Sequence, residues 1–318
     1  MKTLILTGPS ASGKSALAFE LAKNRGRTHI INADSLQVYR DFNIGTAKPT
    51  QEELDQIPHH LISITDPTEI FTAGDFVREA MGALEKIHAK NDRAIIVGGT
   101  GFYLKALLFG IWTEQKIDPV LRSELEKKTN YELFEQLMSS DPTSAKRMGP
   151  NDRYRLIRSL ELITLTGKTP TEFQEAEPKE PNPEFDLWVL DRPKADLESR
   201  ISTRIKSMLE KGLIEEVVAL RVKYPDSRAL DSVGYREVCA YLTGKKPQGR
   251  VVAEGIKGLQ SEIELATRQL VKQQRTWIRG AWLKSRKISA RSFELDRDLE
   301  KVKAEFNKIY GEKPTETQ

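Results

Sequence analysis

Gly8-Pro9-Ser10-Ala11-Ser12-Gly13-Lys14-Ser15 matches the pattern G-x-x-x-x-G-K-[ST], and its surroundings suit that pattern's mechanism. The apolar run Thr3-Leu4-Ile5-Leu6 leads in as a strand, and Ala16-Leu17-Ala18-Phe19-Glu20-Leu21 leads out as a helix. The glycines let the backbone curl until successive N–H groups face an anion. Lys14 adds a point charge, and Ser15 offers a hydroxyl to Mg²⁺. The helix N-terminus points its dipole at the same spot. A tight strand-to-helix turn with a chance lysine is the plainer reading, but it accounts for less of the pattern. The loop tells what is bound and leaves open what is done with it.

Outward from the loop, residues 28–32 and 93–97 read as buried strands, and 59–64 as another. Between them Val77, Ala80, Met81, Leu84 and Ile87 recur at helical spacing over 75–88. Strands alternating with helices predict an α/β fold, a P-loop NTPase-like parallel sheet flanked by helices. Ligands in such sheets sit at the carboxyl ends of the strands. Three of those ends should converge: residues 8–15, Asp34-Ser35, and Gly98-Gly99-Thr100.

After Trp112 the pattern becomes all-helical, with helices expected over 119–128, 131–139, 142–148 and 152–166, the last stopped by Gly167. A Pro- and Glu-rich stretch, 170–183, reads as a mobile linker. Residues 185–191 return as a strand, followed by helices over 196–210, 213–222 and 254–282. The expected organisation is a P-loop core over 1–115, an all-helical insertion over 116–184, the rest of the core over 185–310, and a disordered tail over 311–318.

Of the 318 residues, 38% are hydrophobic and 30% charged, the profile of a globular protein. A single cysteine, Cys239, excludes an internal disulfide and a cysteine zinc site. No apolar run reaches membrane-spanning length, and Met1-Lys2 runs directly into the first strand, so a cytoplasmic monomer is expected. Net charge is only +4, yet residues 265–293 contain no acid while holding Arg268, Lys272, Arg275, Arg279, Lys284, Arg286, Lys287 and Arg291. That asymmetry points to a polyanionic partner.

Asp34 follows the strand next in sequence to the loop, so it is the best acid for holding Mg²⁺ or taking a proton; its bland alternative is an Asp capping a turn. Gln37 can offer a bidentate amide to an adenine edge, or simply be a surface residue. Thr100 can donate to a diphosphate oxygen, or merely sit in a glycine-rich turn. Arg155 and Arg158 share a helix face, as do Arg200 and Arg204; such pairs are usually solvated. Arg268, Lys272, Arg275 and Arg279 form a ridge beside Gln273, Gln274 and Trp277, the form of a nucleic-acid backbone contact.

Taken in order, the loop, Asp34-Ser35-x-Gln37-x-Tyr39, Gly45-Thr46-Ala47-Lys48-Pro49, Gly98-Gly99-Thr100-x-x-Tyr103 and Arg268-Gln269-x-x-Lys272-x-Gln274-x-x-Trp277-x-Arg279 resemble the tRNA dimethylallyltransferases, also called tRNA isopentenyltransferases. Asn151-Asp152, Arg155, Arg158 and Ser232-Val233-Gly234-Tyr235-Arg236 match as well. The resemblance spans residues 4–282. It implies transfer of a dimethylallyl group from its diphosphate to N6 of the adenosine 3′ of the anticodon, with the loop holding the prenyl diphosphate rather than ATP. It makes Asp34 the general base and puts Thr100 and Arg204 on the diphosphate beside Lys14 and Ser15, with Mg²⁺. It implies tRNA contacts from Asp34, Ser35, Leu36, Gln37, Thr100 and Arg122, from Tyr154, Arg155, Leu156, Ile157 and Arg158, and from Ser232, Val233, Gly234, Tyr235 and Arg236. Lys272, Gln274, Arg275, Trp277 and Arg279 complete the tRNA set, with the helical insertion gripping the anticodon arm. Two departures stand out: no zinc finger of the eukaryotic kind, and Arg153-Tyr154-Arg155 where relatives often carry a glutamine before the arginine. The rivals are an adenylate isopentenyltransferase, which would need neither the insertion nor the ridge, and a P-loop small-molecule kinase. A non-catalytic RNA-binding protein would leave the loop and Asp34 unexplained.

Overall fold

The computed structural model describes residues 2–110, 118–176, 180–244, 254–280 and 291–310. The chain divides into two compact units, one of 1–105 with 181–318 and the other of 106–180. In the first, β1 (Thr3–Thr7), β2 (Thr28–Asn32), β3 (His59–His60), β4 (Arg93–Gly98), β5 (Phe185–Asp191) and β6 (Arg291–Glu294) form a six-stranded sheet in the order β3-β2-β4-β1-β5-β6. Every pairing is parallel. All five residues of β1 are buried, as a central parallel strand covered on both faces must be.

The covering helices are α1 (Lys14–Lys23), α2 (Gln51–Gln56), α3 (Ala73–Ala89) and α4 (Gly101–Phe109), the division between the units falling within α4. Capping boxes start α2 at Thr50 with Glu53 and α3 at Thr72 with Asp75. The expected strand over 59–64 stops at His60 because Leu61 (φ 61°) and Ser63 (φ 55°) take left-handed backbone.

The second unit holds α5 (Pro119–Glu126), α6 (Asn130–Ser140), α7 (Pro142–Met148), α8 (Arg153–Thr166) and α9 (Pro170–Ala176) around Leu125, Leu133, Leu137, Leu156, Ile157 and Leu160. Gly167 closes α8 in the left-handed conformation, as expected. The stretch read as a linker contains α9. Thr169 and Glu172 exchange side-chain and backbone bonds there, and Asp141 accepts from the Thr171 amide and hydroxyl.

The chain then supplies α10 (Lys194–Glu210), α11 (Leu213–Lys223), α12 (Tyr235–Thr243), α13 (Gly255–Ile278) and α14 (Leu295–Tyr310) to the first unit. Val302, Phe306 and Tyr310 of α14 are buried in one cluster with Trp188 and Phe293. The tail over 311–318, expected to be disordered, lies outside the described residues, as do Trp282, Lys284, Arg286 and Lys287.

Candidate active site

The phosphate loop runs from the end of β1 to the start of α1. Gly13 sits at φ +92° as the N-cap of α1 and supplies no side-chain cap, so the first helical amides have no capping side chain among the described residues to donate to. A Cβ on Gly8 would lie 2.2 Å from the Leu190 carbonyl, which is why no larger residue fits where the loop passes β5. The loop's carbonyls are held by neighbouring donors. Arg192 Nε donates to Ser12 O (2.7 Å) and Arg200 Nε to Ala11 O (3.0 Å). Because C=O and the next N–H of a trans peptide point in opposite directions, the pinned Ser12 carbonyl turns the Gly13 amide the other way. Ser12 Oγ is buried and has no hydrogen-bond partner among the described residues.

Lys14 Nζ donates to Pro9 O at 3.3 Å. Burial lowers its pKa from the usual lysine range to about 8, with the Asp34 charge opposing the shift and Arg204 adding to it. Asp34 from the end of β2 and Arg204 from α10 are thus both within electrostatic reach of the ammonium. Arg204 is itself exposed to solvent.

Asp34 does what a turn-capping Asp does with one oxygen only: Oδ1 accepts from the Leu36 amide at 2.9 Å. Oδ2 has no hydrogen-bond partner among the described residues. Asn32 Oδ1 accepts from the Asp34 amide (3.0 Å), and the Thr100 hydroxyl accepts from the Ser35 amide (3.0 Å). The ends of β2 and β4 are thereby tied side by side. A Cβ on Gly98 would meet Ala33 O at 2.1 Å, so that approach requires glycine.

Gln37 donates Nε2 to Thr46 O (3.1 Å) and Ala47 O (3.3 Å), so its amide donor holds the following loop. That loop is fixed by Glu216, a residue which sequence reasoning passed over. Its carboxylate accepts from the amides of Asn43, Ile44 and Gly45 and from the Tyr235 hydroxyl (2.7 Å). An acid on a helix looks like any surface charge in a sequence. The one hint was Gly45, whose missing Cβ leaves room for the Tyr235 ring.

Several residues expected to face tRNA have other positions. Tyr235 is fully buried, and Leu36 packs against the same apolar cluster. Gly234 (φ +96°) opens α12, Ser232 bonds back to Ala229 O, and Val233 lies between them; Arg236 is exposed and paired with Glu237. The proposed ridge on α13 is divided. Lys272 is exposed, and Arg268 is paired with Glu264. Arg275, by contrast, is clamped on Asp191 Oδ1 (2.7 Å) and Arg192 O, while Arg279 reaches Asp191 Oδ2 (3.1 Å). Gln274 accepts from the Ser10 amide (2.8 Å) and donates to Gly99 O (3.3 Å). The Trp277 ring fills the space where Gly101 would carry a Cβ. The carboxyl-terminal part of α13 is a buttress on the loops after β1, β4 and β5, held there by the residues that read as a basic ridge.

In the helical unit, Leu156 and Ile157 are core residues, so their side chains cannot meet a polyanion. Glu161 is fully buried and accepts from Arg122 Nη1 (3.2 Å) and Arg158 Nη1 (3.0 Å). The Arg122 guanidinium also lies 5.6 Å from the centre of the half-exposed Tyr154 ring. Arg155 is exposed and pairs with Asp152 at 3.3 Å. Arg153 donates to Glu126 O and Lys128 O, capping the end of α5.

The IPP transferase family model matches residues 37–281. The tRNA dimethylallyltransferase 1 of Citrifermentans bemidjiense is 42% identical over 280 residues, 87% of this chain and 89% of the relative. The tRNA dimethylallyltransferase of Geobacter sulfurreducens is 41% identical over 286 residues, with the same coverage of 87% and 89%. Among solved structures, the tRNA isopentenylpyrophosphate transferase of Bacillus halodurans matches with a TM-score of 0.67 at 32% identity, over 97% of this chain and 95% of that one. A eukaryotic dimethylallyltransferase acting on tRNA matches with a TM-score of 0.83 at 27% identity, over 100% of this chain and 81% of its own.

Proposed function

Since this chain belongs to the IPP transferase family and is a tRNA dimethylallyltransferase, we propose that it prenylates N6 of the adenosine 3′ of the anticodon with Asp34 as base. The observation that carries this reading is the gathering of Lys14, Asp34 and Arg204 within electrostatic reach of one another at the strand ends. A phosphate loop carrying one cation with a second in reach suits a leaving diphosphate, and an acid beside it suits a departing proton. N6 attacks the allylic C1, the C1–O bond breaks, and the electron pair leaves with diphosphate. The N6 proton passes to Asp34, whose Oδ2 makes no competing bond among the described residues. The loop amides, Lys14 and Arg204 stabilise the growing charge on the leaving group. The buried Ser12 hydroxyl would gain a partner in a phosphate oxygen.

The donor set also fits Mg²⁺, a hard cation that needs few protein oxygens when a diphosphate supplies the others. The exposed Ser15 hydroxyl would hold it, with Asp34 the nearest acid in the sequence motif; no cluster of acids or histidines able to hold a metal alone occurs among the described residues. Bound there, Mg²⁺ would supply charge neutralisation to the diphosphate.

The exposed Arg155 and Tyr154, together with Arg122, support anticodon-arm binding by the helical unit. The exposed Lys272 supports a phosphate contact by α13. A cytoplasmic monomer is our reading of the remainder, supported by a single cysteine and by the lack of any membrane-length apolar helix among the described residues.

The test offers labelled dimethylallyl diphosphate and Mg²⁺ with an anticodon stem-loop, AMP and ATP in parallel. Label on the stem-loop adenosine alone is expected. Label on AMP or ATP would refute the tRNA site, and phosphate release from ATP without label transfer would mean a kinase. Asp34→Ala should cut turnover by about a hundredfold or more with stem-loop affinity kept; unchanged kcat would remove Asp34 from the chemistry.

A further inference from the structure

We propose that Gln274 is a positioning residue that presets the diphosphate loop through a single peptide plane, an inference that rests on the diphosphate reading above. Its neighbours Lys272, Gln273 and Thr276 are exposed on α13, while Gln274 and Trp277, three apart, turn toward the strand ends. The Gln274 carboxamide offers an acceptor and a donor on one rigid group. Oε1 takes the Ser10 amide at 2.8 Å and Nε2 gives to Gly99 O at 3.3 Å. One side chain from a distant helix therefore spans the turns after β1 and β4.

The Ser10 amide shares its peptide plane with the Pro9 carbonyl, and in a trans peptide the two point in opposite directions. Gln274, by drawing the N–H toward α13, drives the carbonyl the other way, where it meets Lys14 Nζ at 3.3 Å and the Ser12 amide at 3.2 Å. The resting place of the loop's only lysine is set in this way from α13. Gly99 completes the arrangement. A Cβ there would lie 2.8 Å from Gln274 Nε2, 3.3 Å from Gly8 O and 3.6 Å from Lys14 Nζ. The glycine makes room for the glutamine, so the two should behave as a pair.

The experiment first requires wild-type protein to transfer label from dimethylallyl diphosphate to the stem-loop; no transfer would sink the prenyl reading itself, whatever Gln274 does. Titration with inorganic diphosphate then examines the loop separately from the chemistry. For Gln274→Ala we expect KM for dimethylallyl diphosphate and Kd for inorganic diphosphate to rise about tenfold, the order of one lost hydrogen-bonded link. Both kcat and stem-loop affinity in the absence of diphosphate should stay within about twofold of wild type, a split that general destabilisation would not produce. Gly99→Ala should raise the diphosphate Kd less in the Gln274→Ala background than in the wild type, because the clash partner has gone. Unchanged diphosphate affinity, equal weakening of stem-loop binding, or additive effects would each overturn the proposal. Should Gln274→Ala not fold, Gln274→Met keeps the packing of the stem and is judged by the same criteria; failure of both to fold would make the role structural and overturn it.

Discussion

Replacing Glu161 by Gln keeps the shape of the side chain and removes one charge from the interior of the helical unit. Glu161 is 0% exposed, and it holds Arg122 (13% exposed) and Arg158 (21% exposed) with one oxygen each. A lone partner removed from a fully buried ion pair costs about 3–5 kcal/mol, because the other charge is left uncompensated. Here two guanidiniums would be left. Both reach some water, and Arg122 keeps Glu126 at 2.8 Å, so the cost falls to the bottom of that range or just below it. We expect a loss of about 2–3 kcal/mol, which for a domain of this size lowers Tm by roughly 8–24 °C. Hydrogen exchange read on α5 and α8 localises the effect, and urea denaturation followed by circular dichroism measures it. A change below about 0.5 kcal/mol would refute the reasoning, showing that the carboxylate contributes no more than a neutral amide. Stem-loop affinity should fall as well, since Arg122 and Arg158 would lose the group that aims them.

The Lys14 pKa of about 8 predicts that kcat/KM for dimethylallyl diphosphate declines as pH rises through that value, since the free loop then loses its charge; a profile flat to pH 9.5 would contradict it. Burial also lowers the His60 pKa, with His29, His59, Lys86 and Lys90 adding to the shift, while His29 Nδ1 lies 2.9 Å from His60 Nε2. The folded state therefore binds fewer protons than the unfolded one. Stability should be fully present above the ordinary histidine range near about 6.5 and be lost as pH falls through it, and His60→Gln should flatten that limb in thermal melts. Gly98→Ala should cost at least about 3 kcal/mol, because its Cβ would meet backbone at 2.1 Å. Gly101→Ala, whose Cβ would meet the Trp277 ring at 2.2 Å, should cost about 1–3 kcal/mol by displacing that side chain. Equal Tm values for the two variants would contradict this ordering.

What was legible in the sequence was whatever has a short-range cause. The phosphate loop lies between its strand and helix, β2 and β5 have the expected limits, and α7 and the Gly167 stop stand where the pattern puts them. What was missed depends on partners far along the chain. The β6 segment Arg-Ser-Phe-Glu has a single apolar residue and becomes a strand by pairing with β5 at the sheet edge. The α14 stripe Leu295, Val302, Phe306 and Tyr310 has helical spacing, but it lies in so charged a stretch that its role appears only against Trp188. In the same way an arginine that caps a carbonyl and one that meets phosphate look identical in a sequence. Arg192, Arg200 and Arg275 are of the first kind, and of these Arg200 and Arg275 lay in patterns that invited the question.

That distinction changes how the basic charge near the strand ends should be understood. Arg192, Arg200, Arg275 and Arg279 stand with Lys14 and Arg204 around a region whose acids among the described residues include Glu20, Asp34, Asp191 and Asp196. Asp191 neutralises much of the α13 ridge, so reversing Arg275 to Glu would break a clamp and set two carboxylates together before it altered any contact with RNA. The exposed Arg279 and Lys272 are the fairer probes of a phosphate contact, and a reduced salt slope on replacing Lys272 alone would assign it. Cations still outnumber acids among these groups. An enzyme that must bring a diphosphate and an RNA loop to one place needs that surplus, but the surplus also repels itself in the absence of ligand. Fixing guanidiniums on backbone carbonyls and on Asp191 is how the fold keeps the charge while holding the loop open for an anion.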